Sequence, residues 1–248
     1  MKITLIGSGK LGTHLYKAFA TNEKIQLIQW VNRSSKKQKT KEGIPLNKQW
    51  NPNLKSDLIL LAVSDQSISS ISKSLPKESF VVHTSGGISI DALIQKRRGV
   101  FYPIQTFSEG RTVDFLKLPI GIEAVNSQDL KDLNELVKSI DASAVEINSE
   151  QRQHLHLAAV LVNNFSNHLF FEAAKLCEEN QIDFRLLLPL MLETVEKLKS
   201  LEPQEAQTGP ALRRDQETID HHLKLIKNSQ LKELYSLMTS AIQKNHDQ

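Results

Sequence analysis

The first twelve residues of the chain decide its fold. Residues 1–12 read MKITLIGSGKLG, an apolar run followed by three glycines with the spacing G-x-G-x-x-G. The apolar run predicts a buried strand, and apolar residues at helical spacing over 11–19 predict a helix directly after the glycines. In such a unit Gly7 permits the tight turn, Gly9 lets the backbone approach a pyrophosphate, and Gly12 lets the helix pack closely on the strand. We therefore predict a dinucleotide-binding turn, with a glycine turn that holds no ligand as the alternative.

The overall composition narrows the class of protein. With 248 residues, 40% of them hydrophobic and 24% charged, the chain suits one large domain or two smaller ones. The net charge of +3 does not favour a nucleic-acid or membrane partner. The single cysteine, Cys177, excludes an internal disulfide and fits a reducing compartment, and the histidines and acids show no metal-ligand spacing. No apolar run approaches about 18 residues and no leader precedes the first strand, so we predict a cytoplasmic protein.

Strand and helix patterns alternate through residue 147. After the first strand, further strands are predicted over residues 25–31, 57–63, 80–82, 99–102, 119–125 and 143–147. Helical patterns lie between them, including one over 127–140 and one that starts near Ser89. This alternation predicts an α/β fold with a doubly wound, mostly parallel sheet of the Rossmann type.

After residue 148 the strand signals end. Helices are predicted over residues 151–180, 184–200, 215–228 and 230–244. The segment 155–162 is apolar all round except for His156, which predicts a buried central helix. We therefore predict two domains: a Rossmann-like dinucleotide-binding domain over 1–148 and a helical domain over 149–248 that serves substrate binding and dimerisation.

Residues that contact the cofactor are predicted at the glycine turn and at the ends of two later strands. They are Gly7, Ser8, Gly9, Lys10, Leu11, Gly12, Asn32, Arg33, Ser34, Ala62, Val63 and Ser64. The second strand ends about 20 residues past the turn, where a dinucleotide fold reads the adenosine ribose. An NAD-specific site usually has a carboxylate there, whereas Arg33 and Ser34 offer a planar cation and a hydroxyl to a 2′-phosphate. This pattern predicts NADP as the cofactor; the lysines that follow Arg33 are more simply interpreted as a solvated loop.

Several motifs spread along the chain resemble those of one protein family. They are Gly7-x-Gly9-x-x-Gly12, His83-Thr-Ser85-Gly86, Pro103-x-Gln105-Thr106-Phe107, His156-x-x-Ala159…Asn163 and Thr208-Gly209-Pro210-x-x-Arg213-x-Asp215-x-x-Thr218-x-x-x-His222. In these motifs the chain resembles Rossmann-type proteins with a helical C-terminal domain of unknown function, often labelled NADP oxidoreductases and distantly similar to pyrroline-5-carboxylate reductase. The resemblance implies a two-domain protein and a homodimer built through the helical domain, with no assigned substrate. Where that family commonly has a histidine, this chain has Tyr102, so a proton-transfer role of the histidine would require the phenol to substitute.

The reduction of a carbonyl or imine needs a proton donor beside the reacting atom. His156 and Asn163 lie seven residues apart, on one face of a regular helix, and are one candidate catalytic pair; alternatively they tie an interior helix to neighbouring backbone. His83 and Ser85 follow a predicted strand at its carboxyl end, where ligands bind in α/β sheets. We favour His83 and Ser85 as catalytic contacts over a role in the turn alone.

Substrate contacts are predicted at Gln105, Thr106 and Arg213. The first two offer neutral hydrogen bonds to a polar group. Arg213 suits a substrate carboxylate, but an ion pair with Asp215 that holds the loop is the simpler interpretation. The remaining histidines expected at the surface are His14, His154, His221 and His246.

These patterns together favour an NADP(H)-dependent oxidoreductase that reduces a small polar carbonyl or imine compound. Its partners are then a small-molecule substrate and a second copy of the chain. The alternative is an NADP-binding sensor or scaffold without turnover. A third hypothesis is a flavin or deazaflavin donor paired with NADP.

Overall fold

The computed structural model describes residues 1–116 and 118–245. His246, expected at the surface, lies outside these residues. The chain forms two compact units, residues 1–164 and residues 165–248. The domain boundary predicted after residue 148 precedes this division, because the helix that begins at Ser149 belongs to the first unit. The roles predicted for the two domains stay predictions.

The first unit contains an eight-stranded sheet. Its strands are β1 (Lys2–Ile6), β2 (Gln26–Val31), β3 (Leu46–Asn47), β4 (Leu58–Leu61), β5 (Phe80–His83), β6 (Arg97–Pro103), β7 (Pro119–Ala124) and β8 (Ser143–Glu146). They lie in the order β3-β2-β1-β4-β5-β6-β7-β8, and all neighbours are parallel except β6 and β7. The predicted α/β class with a doubly wound, mostly parallel sheet is confirmed.

The central strands form the core of this sheet. β4 reads LILL and all of its residues are buried, as expected of a parallel strand that is covered on both faces. β1 pairs with β2 on one side and with β4 on the other, so the order of the strands reverses at β1. In open α/β sheets ligands bind in the crevice at such a reversal, outside the carboxyl ends of the strands.

Four α-helices accompany the sheet. They are α1 (Lys10–Ala20), α2 (Asp65–Ser74), α3 (Ser127–Ser139) and α4 (Ser149–Ala159). α1 buries Leu15 and Phe19 in the main hydrophobic core. α4 begins with a capping box, in which Asn148 and Gln151 each accept a hydrogen bond from the backbone N–H of the other. The helix predicted near Ser89 is only a 3-10 turn, because the backbone is already extended again four residues later.

The second unit is helical. It contains α5 (Ser166–Glu179), α6 (Leu188–Glu196), α7 (Gln216–Leu225) and α8 (Ser229–Asn245), with 3-10 turns at Phe184–Leu187 and Lys197–Lys199. The single helix predicted over 151–180 is instead α4, a π-helical segment (Val160–Phe165) and α5. Apolar periodicity over six residues does not separate a π-turn from an α-turn. No helix among the described residues has both the length and the apolar character needed to cross a bilayer.

Many apolar side chains after residue 155 are exposed. The prediction of a buried central helix over 155–162 is wrong for the single chain. Leu157 and Val162 are 59% and 75% exposed. Within the second unit, Leu186 and Leu192 are each 72% exposed. Exposed apolar side chains on helices are normally covered by another surface. The described residues of one chain do not cover these side chains.

Candidate cofactor and active site

A cavity of about 1070 Å³ opens at the carboxyl ends of β1, β2 and β4. It is lined by ten of the residues predicted to contact a cofactor, namely Gly7, Ser8, Gly9, Lys10, Leu11, Arg33, Ser34, Ala62, Val63 and Ser64. Gly12 and Asn32 do not line it, but each contacts residues that do. Small-molecule sites measure about 300–1,000 Å³, so this cavity suits a large, extended ligand.

The glycine turn forms one wall of the cavity. Gly7 has a φ of +115°, a left-handed value that only glycine adopts readily. A Cβ atom on Gly7 would collide with the carbonyl oxygen of Ala62, and one on Gly12 would collide with the carbonyl oxygen of Gly7. Gly9 begins α1 without a capping side chain, and a Cβ there would meet open space. The first N–H groups of α1 are therefore available to an anion that approaches the backbone closely.

Asn32 organises the end of β2. Its side-chain oxygen accepts hydrogen bonds from the hydroxyl of Ser8 at 2.9 Å and from the N–H and hydroxyl of Ser34 at 3.2 and 3.0 Å. These bonds join the glycine turn to the loop that carries Arg33. Asn32 is therefore a support for the cavity wall, whereas Arg33 and Ser34 present exposed side chains to the cavity.

Sequence reasoning missed the other lining residues. They are Ile6, Val31, Lys48, Gln49, Trp50, Ser67, Ser70, Ile71, Ser74, Leu75 and Thr84. Lys48 follows β3, and a strand of two residues gives no alternation that could reveal it. In α2, serines recur three and four residues apart, which places them on one helix face; this spacing is a signal that could have found them.

The charge of the cavity wall has one sign. Lys10, Arg33 and Lys48 line it, and none of the described lining residues is acidic. A concave surface with cations and exposed backbone N–H groups attracts a polyanion. No group of three metal-binding side chains occurs among residues 1–116 and 118–245.

A tyrosine and a histidine meet close to the end of β5. The hydroxyl of Tyr102 lies 3.3 Å from Nδ1 of His156, and the two rings stand at 78° to each other. A Cβ atom on Gly86 would lie 2.8 Å from this nitrogen and from two atoms of the phenol ring. The absence of a side chain at Gly86 therefore lets the pair form. Thr84, two residues before this glycine, lines the cavity.

The surroundings of Tyr102 keep its phenol protonated. The side chain is buried in β6, and burial raises the pKa of the phenol, while the positive charge of Arg152 lowers it in part. The phenol is therefore neutral at physiological pH and has a proton to donate. His156 is exposed.

A buried ion pair fixes α4 to the sheet. Arg152 is fully buried, and its guanidinium pairs with the carboxylate of Glu123 and donates to the carbonyl oxygen of Ile88. The hydroxyl of Ser149 accepts from Arg152 at 3.1 Å and donates to Glu123 at 2.9 Å. Because Arg152 lies one helical turn before His156, this network also fixes the position of the histidine. Nothing in the sequence pattern separates this arginine from a surface residue.

His83 and Ser85 do not present their side chains to the cavity. His83 is fully buried, and its Nδ1 accepts a hydrogen bond from the N–H of Ser85 at 3.2 Å. The hydroxyl oxygen of Ser85 accepts from the N–H groups of Gly87 and Ile88. Burial, with a smaller contribution from Arg152, lowers the pKa of His83 to about 4, so the ring is neutral. Both residues hold the turn, and the catalytic contact predicted for them is not supported by this placement.

Asn163 does not share a regular helix face with His156. It lies in the π-helical segment Val160–Phe165, whose wider turn breaks the two-turn relation that seven residues have in an α-helix. Its side-chain amide donates a long hydrogen bond of 3.4 Å to Asn164. The catalytic role predicted for His156 and Asn163 as a pair stays a prediction.

The predicted substrate residues lie on exposed segments. In the loop after β6, the side-chain oxygen of Gln105 accepts from the N–H of Thr106 at 2.8 Å. In the second unit, Arg213 is exposed. Asp215 caps α7 by accepting from the N–H and hydroxyl of Thr218, at 3.1 and 2.8 Å, rather than forming a salt bridge with Arg213.

One histidine expected at the surface is buried. The two ring nitrogens of His14 each lie 2.8 Å from a carbonyl oxygen, that of Lys10 in the same helix and that of Arg111 in the loop after β6. The ring also packs edge-on against Phe107. The expectation was wrong because this loop covers α1, which the pattern of α1 alone does not indicate. His154 and His221 are exposed, as expected.

Comparisons with known proteins identify relatives of the whole chain. A model of the family described as a domain of unknown function, DUF2520, matches residues 118–242. A solved protein from Bacteroides fragilis, provisionally described as an NADP oxidoreductase, is 33% identical, with 98% of each chain covered and a TM-score of 0.84. No curated protein matches the sequence.

Two reductases share the fold at low identity. Pyrroline carboxylate reductase from Plasmodium falciparum, solved with NADP bound, is 15% identical, with 98% of each chain covered and a TM-score of 0.61. Imine reductase from Myxococcus stipitatus, solved in complex with NADP+, is 16% identical, with 99% of this chain and 96% of the other covered and a TM-score of 0.66. Because the DUF2520 model spans half of the chain and the Bacteroides fragilis protein is related over nearly all of it, this chain belongs to the DUF2520 family.

Proposed function

We propose that the protein is an NADP(H)-dependent oxidoreductase that reduces a small polar carbonyl or imine compound. The observation that carries this proposal is the cavity at the crevice between β1 and β4, where a glycine turn and three cations line the wall and no described lining residue is acidic. A pyrophosphate and a 2′-phosphate together bring several negative charges to such a wall. The description of the Bacteroides fragilis relative, and the NADP bound to reductases of this fold, support the same cofactor.

Each part of the cofactor has a matching part of the chain. The turn over residues 7–12 and the N-terminus of α1 bind the pyrophosphate through backbone N–H groups. Arg33 and Ser34 bind the 2′-phosphate. Residues 62–64, which directly follow β4, contact the ribose on the nicotinamide side. When bound, NADPH supplies the hydride.

Tyr102 and His156 handle the proton. The Tyr102 hydroxyl donates to the oxygen or nitrogen of the substrate on which negative charge develops. The phenolate that remains is costly in a buried position, and Nδ1 of His156, 3.3 Å away, returns a proton to it. This makes Tyr102 the phenol that substitutes for the histidine common in similar proteins. Gln105, Thr106 and Arg213 remain proposed substrate contacts, and the charge of Arg213 suits a substrate carboxylate.

We further infer that the protein forms a homodimer through its helical unit. Among the residues of that unit that the structure describes, few large side chains are buried within one chain, whereas leucines and phenylalanines on α5 and α6 are exposed. Such surfaces on a soluble chain mark association sites, and identical subunits most often associate with two-fold symmetry.

The test of the proposed activity is the oxidation of NADPH, followed at 340 nm, in the presence of aldehydes, ketones, keto acids and cyclic imines. We expect turnover with at least one of these classes. Tyr102→Phe should lower kcat by about 10²–10⁴-fold, which is the usual contribution of a general acid, and leave the Kd for NADPH unchanged. His156→Ala should lower kcat in the same way.

Two outcomes would contradict this assignment. Full activity in Tyr102→Phe would remove the phenol from the mechanism. Tight binding of NADPH without turnover of any compound class would favour the alternative function, an NADP-binding sensor or scaffold.

A further inference from the structure

We propose that Lys48 is a third ligand of the 2′-phosphate and that Gln29 holds Lys48 in position, so that both residues contribute to the preference for NADP over NAD. This inference rests on the proposed function and adds the residues that select the phosphorylated cofactor. Lys48 follows β3, whereas Arg33 and Ser34 follow β2, so it lies outside the loop where the 2′-phosphate was predicted to bind.

The register of the sheet places Lys48 level with Asn32, the residue before Arg33. β3 pairs in parallel with β2, with Val31 opposite Asn47. The next residues, Asn32 and Lys48, therefore leave neighbouring strands at the same edge of the sheet. The N–H of Asn32 donates to the carbonyl oxygen of Asn47 at 2.9 Å, which continues the pairing up to this point. Arg33 and Lys48 both line the cavity.

The charges around Lys48 favour an anion between the two side chains. Lys48 and Arg33 carry like charges that repel each other. No acidic residue that the structure describes lines the cavity to offset this repulsion. An ordinary solvated lysine is the alternative. The nearby lysines at positions 36, 37, 39 and 41 fit that alternative, because they do not line the cavity. Lys48 is thus the lysine of this region that a 2′-phosphate can reach together with Arg33.

Gln29 fixes the segment that carries Lys48. It is fully buried in β2. Its Nε2 donates to the hydroxyl of Thr4 and to the carbonyl oxygen of Asn51, each at 3.2 Å. Its Oε1 accepts from Nδ2 of Asn47 and from the N–H of Asn51, each at 3.1 Å.

The hydrogen bonds of Gln29 hold residues 47 and 51, on either side of Lys48. A buried amide with all of its hydrogen bonds made is costly to disturb, so the segment between these two residues has little freedom to shift. Gln29 does not line the cavity. We therefore assign it as a positioning residue for Lys48.

The experiment titrates the full-length protein with NADPH and with NADH and compares the two Kd values. Lys48→Met should weaken the binding of NADPH about tenfold, as expected for the loss of one charge-assisted contact. It should change the binding of NADH by no more than about twofold, because NADH lacks the phosphate. Lys37→Met removes the same charge from the neighbouring loop and is the matched control, for which we expect no change.

Gln29→Leu tests the positioning role. It should lower the ratio of NADPH to NADH affinity. Adding Lys48→Met to it should lower that ratio little further, because both changes remove the same contact between Lys48 and the 2′-phosphate. Asn47→Ala removes a single bond of the network and is a milder variant if Gln29→Leu does not fold. Thermal melting of each variant verifies that it is folded.

The outcomes separate this inference from the proposed function. If Arg33→Ala lowers the NADPH preference while Lys48→Met behaves like Lys37→Met, the role of Lys48 is wrong and the proposed function stands. If Gln29→Leu weakens NADPH and NADH equally, Gln29 is structural only. If the unmodified protein binds neither nucleotide, the proposed function fails together with this inference.

Discussion

Burial decides what each polar residue near β5 and α4 can do. Tyr102 is buried, and its hydroxyl lies 3.3 Å from Nδ1 of the exposed His156. The phenol keeps a proton that it can donate. Arg152 is fully buried and paired with Glu123, and its positive charge still lowers the pKa of Tyr102 in part. His83 is buried next to this positive charge, and its ring stays neutral.

The buried His83 predicts a loss of stability in mild acid. Its pKa is about 4 in the folded chain and 6.5 in the unfolded chain, so the unfolded chain takes up the proton first as the pH falls. The stability due to the neutral ring is therefore complete above pH 6.5 and is lost as the pH falls toward 4. Between pH 7 and pH 4.5 the loss in the free energy of unfolding should be about 2 kcal/mol.

Urea unfolding at these two pH values measures this effect. His83→Gln is the matched control, because its side-chain oxygen can accept the hydrogen bond from Ser85 and does not titrate. The difference in stability between the two pH values should shrink by about 2 kcal/mol in this variant. An equal loss in both proteins would show that His83 is not the group that titrates.

At the scale of elements, the glycine turn and α1 form one unit in which each glycine has a different role. Gly12 lies against the carbonyl of Gly7 inside the fold, whereas Gly9 faces open space at the cavity. An alanine at position 12 would push α1 away from the turn. An alanine at position 9 would meet nothing until a ligand approaches.

This contrast predicts two separable effects. Gly9→Ala should leave the melting temperature nearly unchanged, since the substitution at a helix N-cap costs only a few tenths of a kcal/mol to about 1 kcal/mol, and should weaken NADPH binding at least tenfold. Gly12→Ala should lower the free energy of unfolding by about 1–3 kcal/mol through overpacking. Calorimetric melting and nucleotide titration of both variants measure the two effects. Unchanged NADPH binding in Gly9→Ala would place the pyrophosphate elsewhere.

The elements of the first unit were largely predictable, because each has its own pattern. The aliphatic run of β4 and the strand–turn–helix of residues 1–20 are local signals. β3 was not predictable, since two residues show no alternation, and Lys48 was missed with it. The sequence shows Tyr102 where similar proteins commonly have a histidine, but it does not show that Tyr102 meets His156, because the meeting of β6 with α4 depends on the fold rather than on sequence spacing. The π-helical segment gave no signal either, and it interrupts the regular helix face predicted to carry both His156 and Asn163.

At the scale of the whole molecule, the exposed apolar surface of the helical unit predicts a dimer. Light scattering should give a mass twice that of the 28.0 kDa chain. Leu190→Glu and Leu192→Glu, on α6, should shift the protein toward the single-chain mass, because each would bury a charge in the interface. Leu116→Glu, at an equally exposed leucine of the first unit, is the matched control and should remain a dimer. A single-chain mass for the unmodified protein would contradict the inference of a dimer.

The proposed function requires the cavity at the crevice of the sheet to be a site for NADP(H). Isothermal titration calorimetry of the unmodified protein with NADPH, and then with NADH, tests this most directly. We expect one NADPH bound per chain, with NADH bound at least tenfold more weakly because it lacks the 2′-phosphate. No binding heat with either nucleotide would contradict the assignment of the cavity and, with it, the proposed oxidoreductase activity.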